Sequence, residues 1–141
     1  MKRFAPVFLG LLALFFMTCT KPNTNNYAPV NYTVDLSLPQ FSALNAPNNY
    51  VYIPNVGVRG LIVYRASFTQ FNAYDRSCPY QTASSCAPII VINAFTCSDT
   101  CKNCGSQFNL TTGAVSKGPS NYPLTTYQTT FDGVSLVRIT N

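Results

Sequence analysis

Short apolar runs, separated by Pro, Gly and Asn, make up most of the chain after residue 30. Over residues 32–38, Tyr, Val and Leu alternate with Thr, Asp and Ser, the period of two that is typical of a half-buried strand, and Pro39 ends the run. The pattern predicts further short strands at 50–53, 61–64, 68–74, 89–92, 125–131 and 134–139. Two of them, 61–64 and 89–92, are continuously apolar, which predicts full burial. No segment has helical periodicity over two turns, so the sequence predicts an all-β fold.

Two local signals add detail to this pattern. The pair Asp132-Gly133 separates the last two predicted strands, and Asp-Gly between such runs is a strong hairpin signal. Earlier in the chain, Asp75-Arg76 follows a predicted strand, where we expect an exposed ion pair of little energetic consequence.

The N-terminus carries a basic start, Met1-Lys2-Arg3, followed by an apolar run over residues 4–17. The run ends just before Cys19 and resembles a bacterial lipoprotein signal. We therefore expect a signal peptide over 1–18, lipidation of Cys19, a polar tether over 19–29 and a domain over 30–141. The alternatives are an ordinary secretory peptide or a retained anchor helix. The main prediction is a membrane-anchored lipoprotein of the bacterial cell envelope, facing the periplasm or the surface.

Composition narrows the possible functions. The 141 residues suffice for one modest domain. The net charge is +5 and falls to +3 once Lys2 and Arg3 are removed, and the basic residues form no stripe. Nucleic-acid binding therefore has no support. The chain has no histidine and no glutamate, which disfavours hydrolytic acid–base catalysis.

The cysteines are concentrated in one turn-rich segment, residues 97–119, where three of them fall within eight residues. Glycines and a Gly-Pro pair in this segment indicate loops rather than long strands. In an exported protein such cysteines are candidates for disulfides. Five lie outside the signal, which leaves one over after two pairs: Cys78, Cys86, Cys97, Cys101 and Cys104.

Part of this segment is similar to a known family. The pattern Cys101-x-x-Cys104-Gly-Ser-x-Phe, with Gly118-Pro119 and residues 123–127 after it, resembles the second cluster-binding box and proline loop of Rieske [2Fe–2S] proteins. Residues 71–80 resemble the strand that leads into the first box, and 123–139 resemble the closing hairpin. The resemblance implies a three-sheet antiparallel β structure, a base domain with an inserted cluster-binding-type subdomain at about 75–119.

The same resemblance implies a set of ligand positions. They hold Cys78, Tyr80, Cys101 and Cys104, where the family has two cysteines and two histidines. Histidine ligation is what raises the potential of a Rieske centre above that of an all-cysteine cluster. Because both histidines are missing, the chain is expected to be a degenerate member, without ordinary high-potential Rieske electron transfer.

Three uses of the cysteines remain open. The favoured one is a disulfide-stapled tip, in which Cys78 pairs with Cys101 or Cys104 and Cys86 pairs with Cys97, each bond stabilising the fold by about 2–4 kcal/mol. The second is a metal site of Cys78, Cys101 and Cys104, completed by Cys86 or Cys97, for Zn²⁺ or an all-cysteine [2Fe–2S] cluster. The third is thiol–disulfide chemistry at Cys101-Lys102-Asn103-Cys104.

The sequence thus predicts an envelope lipoprotein whose Rieske-like domain has a structural or binding role. We expect no cofactor, the membrane as partner through the lipid anchor, and an envelope protein as a further partner. The alternative is an electron-transfer protein with a cysteine-ligated [2Fe–2S] cluster or a zinc-bound tip. An enzyme is not favoured, and any enzymatic role would be electron transfer in support of an oxidoreductase. The disulfide pairing, the role of the odd cysteine and the choice of inner or outer membrane stay open.

Overall fold

A computed structural model of the protein describes residues 29–80, 86–102 and 104–141. The predicted signal peptide, Cys19 and the predicted tether up to residue 28 lie outside the described residues. Within the described residues, no helix is long and apolar enough to span a membrane.

Ten strands and one short 3₁₀ helix make up the described chain, and the predicted all-β fold is confirmed. The helix, Pro39–Asn45, lies in a loop where the apolar pattern predicted no element; it starts at a proline and buries Phe41 and Leu44. The strands are β1 (Asn31–Asp35), β2 (Tyr50–Ile53), β3 (Leu61–Arg65), β4 (Phe71–Asp75), β5 (Ile90–Asn93), β6 (Thr96–Ser98), β7 (Gln107–Asn109), β8 (Val115–Lys117), β9 (Thr126–Phe131) and β10 (Leu136–Thr140).

Six of these strands form one antiparallel sheet in the order β1-β10-β9-β4-β3-β2, which we call the base. The two ends of β9 pair with different strands: Tyr127 lies opposite Ala73 of β4, whereas Phe131 lies opposite Val137 of β10. β9 thus joins the two halves of the base, β1-β10 on one side and β4-β3-β2 on the other. Every residue of β3 is buried, as its apolar run predicted. The hairpin predicted at Asp132-Gly133 connects β9 and β10, where Asp132 Oδ1 accepts three backbone N–H bonds of the turn.

The other four strands, β5-β6-β7-β8, form a separate antiparallel sheet from the chain between β4 and β9. We call this sheet and its loops the tip. Its inner face packs with the base around Tyr64, Tyr74 and Phe108. The prediction that 89–92 is fully buried is wrong: Ile89 is buried, but Ile90 and Ile92 are 39% and 48% exposed. The reason is that β5 is an edge strand of a small sheet, with one neighbour and an open face.

Asp75, at the end of β4, anchors the start of the tip to the base. It is fully buried and accepts hydrogen bonds from the Val58 N–H at 2.7 Å, the Ser77 N–H at 2.8 Å and the Tyr127 hydroxyl at 2.9 Å. Arg76 instead stacks on the Tyr52 ring at 4.0 Å and donates to the Ile89 carbonyl at 2.9 Å. The exposed Asp75–Arg76 ion pair predicted from sequence is therefore wrong, because each side chain is committed to different neighbours.

Candidate functional site at the cysteine loops

Two loops of the tip carry the candidate residues. The first follows β4 and contains Cys78, Tyr80 and Cys86, and the second joins β6 to β7 over residues 99–106. The pairing of β6 with β7 brings the two ends of the second loop together, and the Asp99 N–H donates to the Ser106 carbonyl at 2.9 Å. Gly105 has a φ of +63°, which a residue with a side chain rarely adopts, so a glycine suits the turn that follows Cys104.

A disulfide between Cys86 and Cys101 joins the two loops. The S–S distance is 2.05 Å and the Cα atoms are 5.3 Å apart. The expectation of a stapled tip is met, but two of the expected pairs, Cys78 with Cys101 and Cys86 with Cys97, are wrong. The physical reason is that Cys97 lies on β6, which turns its side chain into the core while Cys86 remains in the loop.

Cys97 behaves as a core residue. Its side chain is fully buried and its Sγ lies 3.8 Å from the Phe108 carbonyl. Burial disfavours the thiolate and raises the pKa of Cys97 to about 12. Cys97 is therefore a packed, protonated thiol at neutral pH.

The thiols of Cys78 and Cys104 lie side by side. Their Sγ atoms are 3.4 Å apart, with Cys78 buried and Cys104 half-buried. The Ser106 hydroxyl lies 3.0 Å from Cys104 Sγ and accepts the Ser120 N–H at 2.9 Å. Because that contact uses the oxygen of Ser106, its hydrogen can be donated to Cys104 Sγ. Ser106 thus links the second loop to Ser120, which directly follows the cis Gly118-Pro119 bond.

Asp99 is a member of the site that sequence reasoning missed. It is only 3% exposed, and its Oδ1 accepts the Cys101 N–H at 3.1 Å. Its Oδ2 is buried and has no hydrogen-bond partner among the described residues. A carboxylate oxygen of Asp99 and the sulfurs of Cys78 and Cys104 all lie within 4.8 Å of one another. The available signal was an aspartate two positions before Cys101, in a chain with only four acidic residues.

The four ligand positions implied by the Rieske resemblance do not converge as a ligand set. Cys78 and Cys104 meet, but Cys101 is bonded to Cys86 and offers no thiolate. Tyr80 is 49% exposed. A [2Fe–2S] cluster needs four protein ligands. The side chains at these four positions do not fit a [2Fe–2S] cluster. They also do not form a zinc site that includes Cys101, because Cys101 is bonded to Cys86.

Comparison with known proteins supports the fold. No protein-family model matches the chain, and no curated protein matches it. Among solved structures, the chain is similar to one in the complex of reduced oxygenase and oxidized ferredoxin in carbazole 1,9a-dioxygenase. The TM-score is 0.51 and the identity 22%, over 79% of this chain and 93% of that one. The described chain therefore has a Rieske-like all-β fold.

Proposed function

We propose that the protein is a membrane-anchored lipoprotein of the bacterial envelope whose Rieske-like domain lacks an iron–sulfur cluster and serves as a structural or binding module. The observation that carries the proposal is the Cys86–Cys101 disulfide. The bond uses Cys101, one of the two cysteines of this chain that stand at cysteine ligand positions of the family. The chain has no histidine to replace it. Export to an oxidising compartment, as the N-terminal sequence predicts, favours such a bond.

The surface of the tip supports a binding role. Ile90 and Ile92 on β5 and Phe95 in the turn to β6 are 39%, 48% and 52% exposed. Exposed apolar side chains that are close together in sequence favour contact with another protein. An anchored domain with such a tip suits an accessory protein that presents it to an envelope partner.

Electron transfer through a cysteine-ligated cluster is less well supported. Cys97 is a buried core thiol, and Cys86 and Cys101 are bonded to each other, which leaves two of the five cysteines as neighbouring thiols. Thiol exchange at Cys101-x-x-Cys104 also has less support, because Cys101 pairs with Cys86 rather than with Cys104.

The test is to express the full chain in a bacterium, purify it anaerobically from the membrane fraction and measure iron and acid-labile sulfide. We expect neither, and we expect Cys19→Ser to release the protein from the membrane without changing its metal content. Stoichiometric iron and sulfide would refute the cluster-free domain. Unchanged membrane association of Cys19→Ser would refute lipid anchoring.

A further inference from the structure

Three potential metal-binding groups meet beside the disulfide: the sulfurs of Cys78 and Cys104 and a carboxylate oxygen of Asp99, which we call the trio. All three come from the two cysteine loops. Cys78 and Asp99 are each 3% exposed, and Cys104 is half-buried. The trio therefore lies just beneath the surface of the tip, and Cys104 is its most exposed member.

The carboxylate of Asp99 is the strongest indication of a cation site. One oxygen has a single backbone donor, from Cys101, while the buried Oδ2 has no donor in the described part of the chain. Leaving a buried charged oxygen unsatisfied is costly, and buried charges are normally paired or bound to metal. A cation bound by the Asp99 carboxylate and the two sulfurs would give this carboxylate the positive partner that such a group normally has.

The distances suit a small tetrahedral ion. Zinc–sulfur bonds of about 2.3 Å at a tetrahedral angle would place two sulfurs roughly 3.8 Å apart. The observed separation of the Cys78 and Cys104 sulfurs is 3.4 Å, so these side chains need to open by only a few tenths of an ångström. Two thiolates with one carboxylate favour zinc-like ions over Mg²⁺ or Ca²⁺, which require oxygen ligands.

We propose that Cys78, Cys104 and Asp99 bind a single thiophilic divalent cation of the Zn²⁺ class. Three protein ligands leave one tetrahedral position for water or an outside ligand, as in open zinc sites. This site differs from the one expected from sequence, because Asp99 takes the place of Cys101. It does not depend on the lipid anchor or on a protein partner, so it stands or fails separately from the proposed function.

Two neighbouring contacts would hold the ligands in place. Cys101 is tied to Cys86, and its N–H orients Asp99 through Oδ1. The disulfide thereby fixes the loop that presents the carboxylate. Ser106 supports Cys104 from the other side, with its hydroxyl 3.0 Å from the Cys104 sulfur. Ser106 is a positioning residue in this arrangement and not a ligand.

The experiment titrates anaerobically purified protein with Zn²⁺ against a chromogenic chelator and, in parallel, with Co²⁺ as a spectroscopic probe. We expect one ion per chain and the absorption of tetrahedral, thiolate-bound Co²⁺. Asp99→Asn should weaken Zn²⁺ binding by more than the roughly 10- to 100-fold that follows loss of an outer-shell partner. Asp132→Asn, at an exposed turn carboxylate, and Cys97→Ser, at the core thiol outside the trio, are the matched controls and should bind as the parent does.

A second measurement covers the case in which a variant does not fold. In the unmodified protein, Zn²⁺ should slow alkylation of Cys78 and Cys104, mapped by peptide mass. The absence of protection would overturn the proposal. A Cys78–Cys104 disulfide in the anaerobic protein, or a folded Asp99→Asn variant with unchanged affinity, would overturn it as well.

Discussion

The base and the tip bury different kinds of side chain. The main core of the base consists of apolar side chains. β3 contributes to this core and lies between β2 and β4 in the sheet. Six polar or charged residues are buried in the described chain, and four of them lie between residues 77 and 120: Ser77, Asp99, Ser106 and Ser120. The base is held mainly by apolar packing, with Arg65 and Asp75 as its buried charged residues, whereas the tip adds a disulfide and four buried polar or charged residues. The difference teaches that this fold concentrates its buried polar groups and its disulfide in the tip.

The largest effect is expected in the base. Leu61, on β3, is fully buried in the main core, so Leu61→Ala should lower the free energy of unfolding by about 2–5 kcal/mol through lost burial and a cavity. Denaturant unfolding measures the change. Val58→Ala, at a residue 44% exposed, is the control and should cost much less. A loss below about 1 kcal/mol for Leu61→Ala would show that the base does not depend on this packing.

A loss of stability of similar size, but confined to the tip, is expected when the disulfide is removed. The double variant Cys86→Ser, Cys101→Ser opens a cross-link between residues 15 apart, which should cost about 3 kcal/mol. Native-state hydrogen exchange should accelerate in β5–β8 and change little in β3 and β4. Thr100→Ala, at the exposed neighbour of Cys101, should leave both measurements unchanged. Equal acceleration in base and tip would break the distinction between the two regions.

The smallest effect on folding stability at neutral pH is expected from the titration of Cys97. Its folded pKa of about 12 lies above its ordinary value of 9.0, so the folded state retains a proton that the unfolded state loses between these values. Cys97 therefore contributes a stability that is fully present below pH 9.0 and is lost as the pH rises toward about 12.

Comparing the parent with Cys97→Ala removes this contribution while keeping Tyr74, whose pKa is raised first by burial and then by the neighbouring Cys97. Denaturant unfolding at several alkaline pH values should show a shallower loss of stability for the variant. Alkylation of native protein at pH 8 should spare Cys97. Rapid modification of Cys97 under native conditions would contradict its assignment to the core.

Much of the fold was predictable because its strands carry strong local signals. The continuous apolar run of β3 predicted a buried strand, and the Asp-Gly pair before β10 predicted a hairpin turn. The burial predicted for residues 89–92 failed because an apolar run does not reveal whether its strand lies at a sheet edge. The role of Asp75 was missed because its three donors include Val58 and Tyr127, which are distant in sequence.

The site was predictable in part. The Rieske resemblance implied that the two cysteine loops meet, and they do, but the Cys78 and Cys104 sulfurs are 3.4 Å apart and do not form the disulfide that was one of the two expected for Cys78. The choice between Cys97 and Cys101 as partner of Cys86 depended on which side chain β6 turns inward. Asp99 lies two positions before Cys101, but its place in the trio could not be predicted because it depends on how two loops fold against each other.

Disulfide mapping is the most direct test of the central claim, that the Cys86–Cys101 bond removes a ligand and leaves the tip without an iron–sulfur cluster. Protein isolated from the envelope under non-reducing conditions, with thiols blocked at lysis, would be digested and its linked peptides identified by mass spectrometry. We predict that a linked Cys86–Cys101 peptide is recovered and that no fraction contains Cys101 as a blocked thiol. Recovery of Cys101 as a blocked thiol, or linked to Cys78, would contradict the account and restore Cys101 as a candidate ligand.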